Sequence, residues 1–197
     1  MYQNTSSSRV FLAAVPDADT ARRIHRLAAA LKRAHGFDAK IIEPERLHVS
    51  LFFLGELPEP AARIAREVAA EVRALPFQVL FDHSVSFRGK PGSRPFVLTG
   101  DDGLNRLKSF RRTLGVAMAS KGLRFLAKKD FTPHITLMYA EHDVDEHPIE
   151  PIGWTVNEFV LIHSMHAMCI LGGGRCIYKK ATAMLMLEKR WTKWRRS

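Results

Sequence analysis

The chain has 197 residues, of which 46% are hydrophobic, enough for one full domain or two closely packed small lobes. Its formal net charge of +10 favours an anionic partner, and nucleic acid is the commonest one. No apolar run approaches the length of a membrane span, so we expect a soluble cytoplasmic protein. Two cysteines, Cys169 and Cys176, are too few for a disulfide framework and lack metal-ligand spacing.

Apolar runs and helix signals divide the first half of the chain into short elements. The pattern predicts, in order, a strand at 9–15, a helix from Asp17 or Asp19 to His35 with Gly36 as its stop, a strand at 39–42, a turn at 43–46 and a strand at 47–54.

The second half repeats this alternation of helices and strands. We predict, in order, a helix at 61–74, a strand at 77–87, a loop at 88–95, a strand at 96–99, a helix from about 102 to 121, a strand through 134–137, an acidic loop at 141–150 with a turn at 151–153, and a hairpin with arms 154–165 and 175–187 joined through the glycines at 172–174. The order favours an α+β protein of two similar lobes.

Two of the predicted strands carry the same motif, His-x-(Ser/Thr)-Leu. It occurs as His48 and Ser50 in the first half and as His134 and Thr136 in the second. Because side chains alternate faces along a strand, each imidazole shares a face with its hydroxyl, and the intervening residues point behind. Two such strands meeting at one cleft would supply two proton-transfer groups and two hydrogen-bond donors, which suits a phosphate ester.

Either histidine alone could equally be a partly buried strand residue bonded to a backbone carbonyl. Packing alone, however, does not require a hydroxyl at the same offset twice. The pairing therefore favours a functional site.

The paired motifs and their flanks resemble the two-histidine (2H) phosphoesterase superfamily. The segments that carry the resemblance are RVFLAAVP at 9–16, LHVSLFFLG at 47–55, PHITL at 133–137 and FVLIHS at 159–164. Within that superfamily the chain is most similar to the bacterial and archaeal RNA 2′,3′-cyclic phosphodiesterases, historically called 2′-5′ RNA ligases. The likeness covers residues 9–187 as one bilobal domain and leaves a polar tail at 1–8 and a basic tail at 188–197.

The resemblance implies two pseudo-twofold-related lobes, with antiparallel sheets lining a central cleft and helices outside. It implies a hydrolysis of RNA terminal 2′,3′-cyclic phosphates that needs neither metal nor cofactor, by a protein expected to be monomeric. His48 is then the proton donor and His134 the proton acceptor, while Ser50 and Thr136 bind the phosphate.

Further substrate contacts are less specific in the sequence. The family often places an Arg two residues after the second motif, where this chain has Tyr139. Candidate contacts are Phe11, Tyr139 and Arg46, with solvated charge or core packing as the alternatives. Arg9, Lys129 and Phe53 are further candidates of the same kind.

Other patterns argue against other chemistries. The metal-ligand types between His142 and His147 lack a recognised spacing and indicate a solvated loop. The glycines at 172–174 lack the context of a phosphate-binding loop, so an ATP-dependent ligase lacks its motif. Two alternatives stay open: cleavage or ATP-independent joining of 2′-5′ linkages at the same site, and a non-catalytic RNA-binding module that uses the basic tail with Trp191 and Trp194.

Overall fold

A computed structural model of the chain describes residues 9–56, 59–123, 131–164 and 168–175, with the backbone alone for residues 9, 59, 163, 164 and 168–175. Both tails, Lys129 and Cys176 lie outside the described residues. The elements in this part of the chain are β1 (Arg9–Ala14), α1 (Ala18–His35), β2 (Val49–Gly55), α2 (Glu59–Glu71), β3 (Phe77–Ser86), β4 (Arg94–Thr99), α3 (Asn105–Ser120), β5 (Ile135–Ala140), β6 (His147–Val156), β7 (Glu158–Ser164) and β8 (Met168–Arg175).

The strands form one antiparallel sheet in the order β6-β3-β4-β5-β2-β1-β7-β8. Each lobe contributes four neighbouring strands, and the two histidine strands, β2 and β5, are the innermost of each set. Among the described residues, a single strand pair, Val49 with Ile135, joins the two half-sheets. The predicted α+β fold with two related lobes is confirmed.

The first helix shows why these residues fold as they do. Asp17 caps α1 by accepting the backbone N–H of Thr20 at 2.8 Å, and Gly36 ends it in the left-handed conformation at φ 67°, which suits a residue without a side chain. Ile24 and Leu31 lie on its buried face. This helix packs on β5 and β6, in the lobe opposite to the strand that precedes it.

The three α-helices of the described residues share one core that spans both lobes. It includes Ile24 of α1, Val68 of α2 and Leu114 of α3 together with the inward residues of both half-sheets. The opposite face of the sheet carries a small cluster of its own, whose buried members are Phe11, Ala13, Val160 and Ile162. That second face is the one on which the histidines lie.

Several predicted elements differ from the observed ones. Residues 39–42 do not form a strand but make a single bridge, Ile41 with Met138. The segment 147–153, predicted as loop and turn, belongs to β6. Pro148 and Pro151 favoured a loop in the sequence analysis. An outermost strand such as β6 nevertheless tolerates proline, because one of its edges has no hydrogen-bonded neighbour among the described strands.

The final hairpin was also predicted wrongly. The predicted first arm, 154–165, is divided between the end of β6 and β7. The second arm is β8, which pairs with β7, so the glycines at 172–174 lie within a strand rather than in the connection. The predicted arm at 175–187 lies, apart from its first residue, outside the described residues. None of the described helices is long and apolar enough to cross a membrane.

Three histidines gather where α1 ends beside β6. The ring of His35 lies 5.0 Å from that of His147, and His142 lies 4.8 Å from Phe37. Burial and the nearby charges of His147 and His142 lower the pKa of His35. Its Nε2 is buried and has no hydrogen-bond partner among the described residues. No group of metal-ligand residues in this described part of the chain is arranged to hold a metal ion.

The lowered pKa means that His35 binds a proton less readily in the folded protein than in the unfolded chain. The contribution of His35 to the free energy of unfolding should therefore be fully present above the ordinary histidine pKa and decrease as the pH falls below it. His35→Phe keeps the aromatic packing and removes this titration. We expect the drop in Tm between about pH 7.5 and about pH 5.5 to be smaller in the variant. His35→Gln, which also removes the titration, is the second variant. If Tm fell as much in both variants as in the wild type, this prediction would be contradicted.

Candidate active site

The two motif histidines occupy equivalent positions, each one residue before a histidine strand begins. His48 follows a short 3₁₀ helix, Pro44–Arg46, and directly precedes β2. His134 follows an extended segment and directly precedes β5. The Nδ1 of His48 lies 2.8 Å from the carbonyl oxygen of Arg46, and the Nδ1 of His134 lies 2.8 Å from that of Thr132.

These contacts set the direction of both rings. A carbonyl oxygen can only accept, so Nδ1 carries the hydrogen and Nε2 is left to exchange a proton with a ligand. Each ring also contacts a phenylalanine: Phe11 lies 4.9 Å from His48, and Phe87 lies 4.9 Å from His134, between ring centroids. Both imidazoles are therefore positioned in the same way.

The central strand pairing brings the two motifs together. Because β2 and β5 are antiparallel and Val49 pairs with Ile135, the register places His48 opposite Thr136 and Ser50 opposite His134. Val49 and Ile135 are fully buried, so these four neighbours point to the other face. Directly opposed residues have Cβ atoms about 5 Å apart. The two predicted imidazoles and two predicted hydroxyls thus form one group in which each imidazole lies opposite a hydroxyl; we call it the four-cornered group.

The neighbouring strands confirm which face this is. Ser50 pairs with Ala13, which belongs to the same small cluster as the Phe11 beneath His48. Thr136 pairs with Val97 on β4. Phe11 is only 8% exposed, so its observed role is to support the His48 ring, and its contact with a substrate stays a prediction.

A bulge follows the first motif. The register between β2 and β1 skips Leu51, so Leu51 and Phe52 both point into the core. The next residue, Phe53, returns to the face of Ser50 with 64% of its surface exposed.

The second motif is followed by the same irregularity. The register between β5 and β4 skips Leu137, so Leu137 and Met138 are both buried. Tyr139 then returns to the face of Thr136, 52% exposed. Each motif is therefore followed by an aromatic side chain that faces solvent, on the same side of the sheet as the histidines.

Arg46 and Tyr139, two of the predicted contacts, both line a pocket of about 260 Å³. The backbone N–H of Ile42 donates to the carbonyl of Leu137 at 2.8 Å and holds one wall of the pocket against β5. The pocket is lined by Lys40, Ile41, Ile42, Glu43, Arg46 and Tyr139.

The environment of His48 favours its neutral form. Burial lowers the pKa of His48, the bond to the Arg46 carbonyl opposes this, and the charges of His134 and Arg46 lower the pKa further. His134 is thus close enough for its charge to act on the protonation of His48.

Sequence reasoning missed the part played by Arg111. Arg111 on α3 donates from Nε to the Leu51 carbonyl at 2.9 Å. Its guanidinium lies 4.5 Å from the centre of the Phe52 ring and 4.3 Å from that of Phe131. One side chain therefore joins β2 to the segment that leads to His134.

A second contact also holds that segment. Thr99 on β4 is buried, and its hydroxyl donates to the carbonyl of Pro133 at 3.3 Å. Of the other candidate cations, Arg9 is described by its backbone alone and Lys129 lies outside the described residues.

The fold and the site define a bilobal α+β protein with a paired histidine motif at the junction of its lobes. A family model described as the 2′-5′ RNA ligase superfamily matches residues 8–166, and the chain belongs to this superfamily. A relative named RNA 2′,3′-cyclic phosphodiesterase, from Archaeoglobus fulgidus, is 33% identical over 132 residues, 66% of this chain and 70% of the relative. A protein of the same name from Thermotoga maritima is 29% identical over 154 residues, 72% of this chain and 80% of that protein.

Solved structures share the fold. Escherichia coli LigT complexed with ATP superposes with a TM-score of 0.66 at 23% identity and covers 87% of this chain and 99% of its own. LigT complexed with 3′-AMP gives a TM-score of 0.64 at 24% identity, with the same coverage of both chains.

The coupling between the histidines can be measured directly. His134→Gln removes a positive charge that lowers the pKa of His48, so we expect the pKa of His48 to rise in this variant. NMR titration of the imidazole signals gives the value. A pKa that is unchanged or lower would contradict the coupling. His83→Gln is a suitable control, because the charges that act on His83 are those of Asp82, Glu146 and Asp101.

Arg111→Met should loosen both histidine segments. Losing a hydrogen bond and two cation–π contacts is expected to cost about 2 kcal/mol in the free energy of unfolding, measured with denaturant. The imidazole NMR signals of His48 and His134 should both shift. Arg112→Met is the matched control, since Arg112 is exposed and donates only weakly, to the Ser109 hydroxyl at 3.3 Å. Equal effects of the two variants would contradict the role given to Arg111.

Proposed function

We propose that this protein hydrolyses the terminal 2′,3′-cyclic phosphate of RNA to a 2′-phosphate. The observation that carries the proposal is the four-cornered group at the centre of the sheet. It offers two imidazoles whose Nε2 atoms are free for proton transfer and two hydroxyls on the same face. The names of the relatives from Archaeoglobus fulgidus and Thermotoga maritima support the same activity and substrate class.

In the proposed reaction His134 acts as the base and His48 as the acid. Nε2 of His134 takes a proton from water as the water oxygen attacks phosphorus. The bond from phosphorus to O3′ breaks, and Nε2 of His48 gives its proton to that oxygen, which leaves a 2′-phosphate. Ser50 and Thr136 donate hydrogen bonds to the non-bridging oxygens, on which negative charge increases in the transition state.

The assignment of roles follows the order of the motifs in the family that the chain resembles. In the free protein the lowered pKa of His48 favours the neutral form, whereas an acid must carry its proton. A bound phosphate resolves this, because a negative charge beside an imidazole raises its pKa. The substrate itself would therefore place the proton on His48.

Cleavage or joining of 2′-5′ linkages is a second candidate for the same residues. It is favoured by the two exposed aromatic side chains, Phe53 and Tyr139, which follow the two motifs and could receive a nucleoside on each side of a phosphodiester. A non-catalytic RNA-binding module would use the basic surface without needing two complete proton-transfer motifs.

The test uses an oligoribonucleotide that ends in a 2′,3′-cyclic phosphate, incubated with chelator and without ATP. We expect a 2′-phosphate product, identified by its isomer. His48→Ala and His134→Ala should each lower the rate about 10²–10⁴-fold, as expected for loss of a general acid or base. His83→Ala is the matched control, because His83 lies outside the two motifs, on β3, where it forms a hydrogen bond with Asp82.

Each other outcome has a distinct meaning. Wild-type activity in a folded His48→Ala or His134→Ala variant would overturn the mechanism. A 3′-phosphate product would place the leaving group at O2′ and reverse the geometry of attack. Turnover of 2′-5′-linked oligonucleotides alone would favour the second candidate, and salt-sensitive binding without any product would favour the binding module.

A further inference from the structure

The bulge in β5 has a consequence for what lies beside the phosphate. It turns both Leu137 and Met138 into the core, so Tyr139 emerges on the face of Thr136, three residues further on. At about 3.3 Å per residue, Tyr139 is about 10 Å along the strand from Thr136. That distance suits a group one nucleotide away from a phosphate bound at the histidines.

The pocket at Tyr139 combines an aromatic face with positive charge. Lys40 and Arg46 lie on its wall, with Glu43 as the one acidic residue among its described lining. The wall is fixed to β5 by the hydrogen bond from Ile42 to the Leu137 carbonyl. A cationic surface beside an exposed aromatic ring is the combination by which proteins hold single-stranded nucleic acid, and it tolerates any base because every base has a π face.

The pocket also adjoins the catalytic group through Arg46. The carbonyl of Arg46 accepts the hydrogen bond that orients His48, and Arg46 is also one of the residues that line the pocket. An RNA strand that enters the pocket therefore lies next to the phosphate site.

We propose that this pocket is a subsite for the penultimate nucleotide, the one on the 5′ side of the terminal nucleotide. Tyr139 stacks on its base, and Lys40 and Arg46 contact the phosphate that links it to the terminal nucleotide. The inference rests on the proposed function and specifies its substrate: RNA ends of two or more nucleotides, of any base, rather than mononucleotides.

The experiment compares two substrates, adenosine 2′,3′-cyclic phosphate and the dinucleotide ApA that ends in a 2′,3′-cyclic phosphate. The quantity is the ratio of kcat/KM for the dinucleotide to kcat/KM for the mononucleotide. In the wild type we expect this ratio to exceed 10. Tyr139→Ala should lower it about 10-fold, the size of loss caused by removing one base stack, and Tyr139→Phe should retain it.

Phe53→Ala is the matched control, since Phe53 is the exposed aromatic residue at the equivalent position of the other lobe. We expect it to leave the ratio as in the wild type. Lys40→Gln should lower the ratio and weaken its dependence on salt, because it removes a phosphate contact. Circular dichroism shows whether each variant is folded.

A wild-type ratio near one, or a ratio that Tyr139→Ala does not change, would overturn the subsite. A fall caused by Phe53→Ala instead would place the penultimate base in the other lobe and equally overturn it. These results leave the proposed function intact, because both substrates are still opened. If the wild type opens neither substrate, the proposed function fails and the subsite falls with it.

Discussion

The candidate site depends on one backbone pairing, that of Val49 with Ile135. It is the only register pair between the two half-sheets in the described chain, and its antiparallel direction sets each histidine opposite the hydroxyl of the other motif. Had the register slipped by one residue, the motif side chains of one strand would point into the core. Burial of both paired residues prevents that slip, so the core fixes the composition of the cleft.

Local contacts then set the direction of each functional group. The same hydrogen bond, from Nδ1 to the carbonyl two residues earlier, orients both rings. Arg111 stabilises both supports at once, because it bonds to β2 and stacks on the ring of Phe131. Gly115, one turn further along α3, permits the close approach of that helix, since a Cβ there would lie 3.0 Å from the ring of Phe52. The two lobes are thus held together at the residues that carry the proposed chemistry.

Much of the fold could be predicted because it is encoded locally. The capping of α1 by Asp17, its end at Gly36 and the alternating pattern of the histidine strands depend on neighbours within a few residues. Elements that depend on distant partners were predicted less well. Residues 39–42 pair only once, with Met138, and β6 contains two prolines that only an outermost strand accommodates.

The sequence by itself determined the chemical inventory of the site, two imidazoles and two hydroxyls, because a strand of period two gives each His-x-(Ser/Thr) pair one face. Only the tertiary structure decided how these groups meet, since the register of β2 against β5 joins residues far apart in the chain. It also decided the place of Arg111 and Tyr139. Arg111 depends on how α3 packs over two segments, and Tyr139 depends on a bulge that turns its ring outward. Both are determined by neighbouring elements of the fold and not by a local sequence pattern.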